Sequence, residues 1–344
     1  MKYYILPHTS PLICTYPNYT DLFFALGGFS DVRHWLLSRV IGLFGVWMST
    51  YPEMIVNFCD NANPWYCPPM TACPLISTQF IYESTLLDMG ANILIFLKKQ
   101  IESGSYISIC MDYSLIPEYK MFFPNPYRHQ VLLYGYNDEE HFFYASGFVY
   151  MKSYERFHIP YDSFLKAFFS SRPLANASVP FFRYDNKNEI VTGDSYRSFF
   201  FNYMMSDTYI YNELSYYLNE TRYPVFPDVY MGINVYKLYQ RYCHHLSEQV
   251  EHATVLFHQP LQVVYQHKIA LKHIYLTMCR NTFADSQILQ TLDNLIQNTL
   301  LIRNKLLKYS VAHQLSHASS LIPKLESLQQ IEQNVILSIL DNGR

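Results

Sequence analysis

The chain has 344 residues, half of them hydrophobic, which is enough for about two domains with sizeable cores. Lys and Arg total 25 against 28 Asp and Glu, a formal net charge of −3, and no basic stripe runs through the sequence, so nucleic acid is not an expected partner. Charged residues make up 15%, below the usual value of about 25%, while Tyr (32) and Phe (24) are abundant.

Pro7 and Pro11 interrupt the apolar N-terminal stretch too early for a secretory signal. Residues 19 to 50 read as helical. Leu22, Phe23 and Leu26 share one face, Gly27-Gly28 closes the first segment, and Trp35, Leu36 and Leu43 continue a second. The most apolar run, Val40 to Tyr51, is shorter than the roughly 18 residues a membrane span needs, so it reads as a buried helix and no membrane is expected. Residues 57 to 76 are rich in Pro, Asn and Cys and read as loop. Residues 82 to 103 are helical again, closed by Gly104.

The character then changes. Tyr106 to Asp112 is a β-type run. Gln130 to Gly135 and His141 to Ala145, joined by the turn Asn137-Asp-Glu-Glu140, form a hairpin signal. A strand near Val149–Met151 and a helix near Tyr161–Phe168 follow. Helices first, then a compact antiparallel sheet, is an α+β layout. Residues 173 to 195, with Pro173, Pro180 and Gly193, read as a linker. Beyond it apolar residues recur at spacings of three and four, as in Ile288, Leu292, Leu295 and Ile302, then Leu321, Leu325, Leu328 and Val335. The expected domains are therefore residues 1–185, α+β, and 190–344, helical.

Seven cysteines, at 14, 59, 67, 73, 110, 243 and 279, are odd in number and scattered, which fits a reduced, cytoplasmic setting. Cys59, Cys67 and Cys73 lack zinc-ribbon spacing. His244, Glu248 and His252 would share a helix face, but no second cluster accompanies them, so no metal is expected.

Two residues point to chemistry. Cys14 lies just before the first helix, whose start Pro17 marks, and a thiol at a helix N-terminus feels the positive end of the macrodipole. His129 opens the strand HQVLLYG, where an imidazole can be held rigidly across a cleft. Thiolate plus imidazole is the pair that opens carbonyls and thioesters.

The stretch His129-Gln-Val-Leu-Leu-Tyr-Gly-Tyr-Asn-Asp-Glu-Glu resembles the histidine hairpin of butirosin biosynthesis protein H-type proteins, which have papain-like folds related to the C39 peptidase group. Cys14 with its Gly-Gly helix end, Ile109-Cys-Met-Asp112 with Ile116-Pro117, and Tyr161-Asp-Ser-Phe-Leu-Lys-Ala-Phe resemble further parts of that family. So do Met231-Gly-Ile-Asn-Val-Tyr, Tyr265-Gln-His-Lys268 and Leu301-Ile-Arg-Asn-Lys-Leu-Leu-Lys-Tyr309 in the helical half. Papain-like amide synthetases of the closthioamide type are similar as well.

The resemblance implies a papain-like (C39-like) domain and acyl transfer. Cys14 would take the acyl group from the phosphopantetheine thioester of a carrier protein, and His129 would deprotonate an amine acceptor, giving an amide. No bound cofactor is implied. The family's third residue is an acid where Ala145-Ser146-Gly147 stands here, so either Ser146 orients His129 or Asp112 supplies the carboxylate. An oxyanion donor is needed besides the Cys14 backbone N–H, and His8 stands at the family's place for it. The rival expectations are hydrolysis by the same dyad, as a thioesterase or peptidase, and a non-catalytic binding protein on the same frame.

Overall fold

The structure is a computed structural model that describes residues 3–48, 54–59, 73, 75–117, 119–120, 123–149, 153–170, 177–185, 202–204, 206–219, 227–248, 259–279 and 283–342. It is a mixed α+β molecule with an antiparallel sheet and a helical C-terminal region. The chain divides into two compact units: Met1–Arg33 with Pro68–Ser198, and His34–Cys67 with Phe199–Arg344. The second unit thus takes in a segment from the first sixty-seven residues, where the sequence suggests a single cut near residue 185.

The first unit is built on a seven-stranded sheet. Its strands are β1 (Tyr3–Ile5), β4 (Ile76–Tyr82), β5 (Tyr106–Asp112), β6 (Arg128–Asn137), β7 (Phe142–Val149), β8 (Ser153–Pro160) and β9 (Ser178–Tyr184). The order is β4-β9-β5-β6-β7-β8, and β1 pairs antiparallel with the far end of β6. The hairpin β6–β7 is the one its aromatic runs predict. Two strands depart from expectation. β8 occupies residues given no element in the sequence, and β9 lies inside the expected linker. β9 pairs with β5 only through Phe181 and Phe182, so Pro180, which has no N–H to offer, stands outside that ladder.

The helices α1 (Pro17–Leu26), α3 (Glu83–Asp88), α4 (Ile93–Glu102) and α5 (Tyr161–Ser170) belong to this unit. α3 and α4 divide the expected segment 82–103 at Gly90, whose φ of +53° suits glycine, and Gly104 at φ +90° ends α4. α5 buries Phe164 and Phe168, and Phe164 meets Phe143 of β7 with ring centroids 5.0 Å apart. Asp138, in the β6–β7 turn, binds both Lys98 of α4 and the Tyr161 hydroxyl, each at 2.8 Å.

The second unit holds a three-stranded sheet, β10-β2-β3, of β2 (Gly42–Trp47), β3 (Met54–Cys59) and β10 (Val229–Met231). β2 corrects the expected helix over Val40–Tyr51. An apolar run of this length does not distinguish strand from helix by period. Here Gly45 permits the close approach of Leu238, whose Cδ2 would lie 2.4 Å from any added Cβ. Most of the expected loop over 57–76 lies outside the described residues. The helices are α6 (Asp207–Asn219), α7 (Val235–Glu248), α8 (Gln259–Met278), α9 (Ser286–Val311) and α10 (Ile322–Asn342). α2 (Ser30–Ser38) leads from the first unit into the second.

A polar knot sits in this bundle. Lys268 of α8 and Glu332 of α10 are fully buried, 2.6 Å apart, and Tyr217 and Tyr236 donate to the same carboxylate at 2.9 and 2.7 Å. His267 bonds the Ile41 carbonyl through Nε2 at 2.7 Å. The carbonyl only accepts, so Nε2 carries the proton and Nδ1 receives Lys268 Nζ at 3.0 Å. No helix among the described residues is long and apolar enough to cross a membrane.

Candidate functional site around Cys14

Tyr16 is extended, with φ −115° and ψ 142°, and Pro17 fixes the first helical turn of α1. The Thr15 N–H donates to Thr20 Oγ1 across that turn at 3.2 Å. Every residue from Tyr19 to Leu26 is buried, so α1 lies sealed against the sheet rather than along its rim. Asp21 meets Gln130 and Phe24 meets Tyr134, so α1 runs alongside β6 in the same direction. Its N-terminus, with Cys14, therefore points to the end of the sheet where β6 begins. Cys14 is half-buried and its thiol donates to the Pro11 carbonyl at 3.7 Å. Burial pushes this thiol up to about 11. The expected lowering by the helix end is not what dominates.

The strand pairing decides which side chains face α1. In β5–β6, Cys110 stands opposite Gln130 and Met111 opposite His129. In β6–β7, Leu132 stands opposite Ser146. Side chains of directly paired residues share a face, and neighbours along a strand alternate. Ser108, Cys110, Gln130, Leu132 and Ser146 therefore lie on the face that α1 covers. The hydrogen bonds agree. Asp21 accepts from Ser108 at 2.9 Å, from Gln130 at 3.0 Å and from Tyr154 at 2.8 Å, and Tyr154 shares a 2.8 Å bond with Ser146.

His129 lies on the other face. Its ring stacks on Tyr127 at 5.7 Å, tilts against Tyr113 at 5.3 Å, and its Nδ1–H donates to the Gln130 carbonyl at 3.4 Å. Tyr113 donates to that same carbonyl at 2.7 Å. Burial lowers the His129 pKa, with the carbonyl bond opposing, so the ring is neutral at pH 7. Among the described residues its ring contacts do not include Cys14. Among the described residues no hydrogen bond joins His129 to Cys14, and the residue that strand alternation turns toward α1 is Gln130.

The other expected site residues are placed as follows. Ser146 is fully buried in the Asp21 network, away from the face of His129. Asp112 caps the turn after β5. Its Oδ1 accepts from the N–H and hydroxyl of Ser114 and from the Tyr127 N–H, at 2.9, 2.7 and 3.1 Å, which fills that oxygen with structural bonds. His8 stacks on Phe24 at 5.0 Å, near the opposite end of α1 from Cys14. Its Nε2 accepts from Arg156 at 3.3 Å and its Nδ1–H donates to the Leu6 carbonyl at 3.1 Å, so no N–H remains for an oxyanion. Of the five, Cys14 lies just before α1, as its place in the sequence suggests.

The pairing also exposes residues that sequence reasoning missed. Asp21 is a lone carboxylate in an apolar helix, and that isolation was the available signal. Tyr154 and Gln130 carried no signal, because their roles depend on strand pairing. Among the described residues no group of three or more His, Cys, Asp or Glu side chains gathers to hold a metal, and His252 lies outside them. No protein-family model matches the chain, and no curated protein matches it.

Proposed function

We propose that the chain is a cysteine acyltransferase on a papain-like frame, which accepts an acyl group on Cys14 from a carrier-protein phosphopantetheine thioester and passes it to an amine. The observation that carries the reading is the half-exposed thiol just before the first helix of an α+β unit, together with the family resemblance of its surroundings. The Cys14 thiolate attacks the thioester carbonyl, and the pantetheine sulfur leaves and takes up the proton that Cys14 gave up. The amine, arriving as free base, then attacks the acyl-enzyme, and its proton goes to the departing Cys14 sulfur. The reading assigns no base role to His129, since that ring faces away from α1.

A second reading, a non-catalytic binding protein on the same frame, is favoured by the thiol pushed up to about 11. Intact-protein mass after exposure to an acyl-pantetheine thioester separates the two. The transferase reading expects one acyl mass on wild type, one on His129→Ala at a rate within about threefold of wild type, and none on Cys14→Ala. An unmodified wild type means the binding reading holds. Free acid released at the same rate with and without amine would turn the transferase into a hydrolase.

A further inference from the structure

α1 is anchored to the sheet through one carboxylate. Asp21 is 1% exposed and accepts hydrogen bonds from β5, β6 and β8, through Ser108, Gln130 and Tyr154. All three donors are neutral, and no cation stands among them. The other titratable groups that interact with it electrostatically are Cys110, on the same face of β5, and Tyr113, in the turn after β5 beside His129. Arg128 and Glu83, which act on Cys110, form their own ion pair.

We propose that Asp21 is the positioning residue for Cys14, a latch whose ionisation sets how firmly α1 is seated on the sheet. Its functional consequence rests on the reading of Cys14 as the acyl-bearing residue. A carboxylate without a counter-charge is worse placed in this dry interface than in water. Neutral, it fits at lower cost. The shared Tyr154–Ser146 bond accommodates the proton: Tyr154 turns its O–H to Ser146 and accepts from the protonated Asp21. Ser146 is thus the far end of a two-bond relay, not an orienter of His129.

The sign follows from linkage. Burial pushes Asp21 up to about 6 in the seated helix. When α1 lifts and the carboxyl meets water, it titrates near 4. The lifted state binds fewer protons, so raising the pH favours it by up to about tenfold per unit between about 4 and 6, on the order of a hundredfold in all. Above that window the balance is level.

Hydrogen exchange of the full chain tests this. After correction for intrinsic rates, opening of residues 17–26 is expected to rise at least about tenfold between about pH 4.5 and 6.5 and then level off. Global opening also hydrates Asp21, so exchange in β5 is expected to show the same step at a smaller extent of opening. Asp21→Asn keeps an acceptor and drops the charge, so its opening should be flat with pH. It should also slow N-ethylmaleimide labelling of Cys14 at neutral pH by several-fold. Tyr154→Phe removes a donor that favours the ionised form, so the step should move to higher pH. That shift decides the matter if Asp21→Asn fails to fold. A wild-type α1 without the step, an Asp21→Asn protein that keeps it, or an unmoved step in Tyr154→Phe would overturn the latch. A step without any acyl adduct would remove the transferase reading and leave the latch, and an adduct without the step would do the reverse.

Discussion

Glu332→Ala is expected to destabilise the helical unit by about 3–5 kcal/mol, the usual cost of stranding a buried charge. Lys268 has its charge partner in Glu332, and both side chains are fully buried. Removing the carboxylate leaves the ammonium with the His267 imidazole and the ring faces of Tyr217 and Tyr236, and with no charge partner among these. It also takes away the carboxylate to which the hydroxyls of Tyr217 and Tyr236 each donate. Burial already lowers the Lys268 pKa against the pull of Glu332, so losing that partner lowers it further. Lys268→Met with Glu332→Leu removes both charges and should recover part of the loss, though the two tyrosine hydroxyls still lack the carboxylate. Urea unfolding of the three proteins measures both effects. A Glu332→Ala protein within about 1 kcal/mol of wild type would mean the knot is wet or open, contrary to the geometry.

The second large effect concerns pH. A thiol titrating at about 11 is ionised in roughly one molecule in ten thousand at pH 7, and the thiolate is the nucleophile. Acylation of Cys14 should therefore rise about tenfold per pH unit from neutrality to about pH 10, a thousandfold in all, with no plateau near neutrality. A thiolate–imidazolium pair would instead give a rate that is high at neutral pH and nearly level above it. The measurement is the rate of acyl mass gain from an acyl-pantetheine thioester across that range, with the thioester's own hydrolysis subtracted.

The helical half could be read from the sequence because its stripes carry their own period. Ile288, Leu292, Leu295 and Ile302 are all buried along one face of α9, and Leu325, Leu328 and Val335 along α10. The β6–β7 hairpin was readable for a similar reason, two aromatic runs about a polar turn. β2 was not, because Gly42 to Trp47 is apolar without a decisive period, and its strand form depends on pairing with β3 and β10. The face of His129 was not readable either. Two adjacent residues, His129 and Gln130, differ only in which side of the sheet they take, and a one-residue change of pairing exchanges them. Asp112 looked like a candidate acid because it ends a strand near the histidine, but strand ends are also where turn caps sit, and three donors converge on it. The Lys268–Glu332 contact joins residues 64 apart, which no local pattern reveals.

The reactivity of Cys14 depends on which side chain lies beside its sulfur. Thiolate absorbance near 240 nm, taken as the difference between wild type and Cys14→Ala, follows that single group through its titration. The predicted result is a midpoint at about 11 that is the same when His129 is replaced by Ala. A midpoint below about 8 that His129→Ala shifts upward would contradict it, and would put sulfur and imidazole together after all.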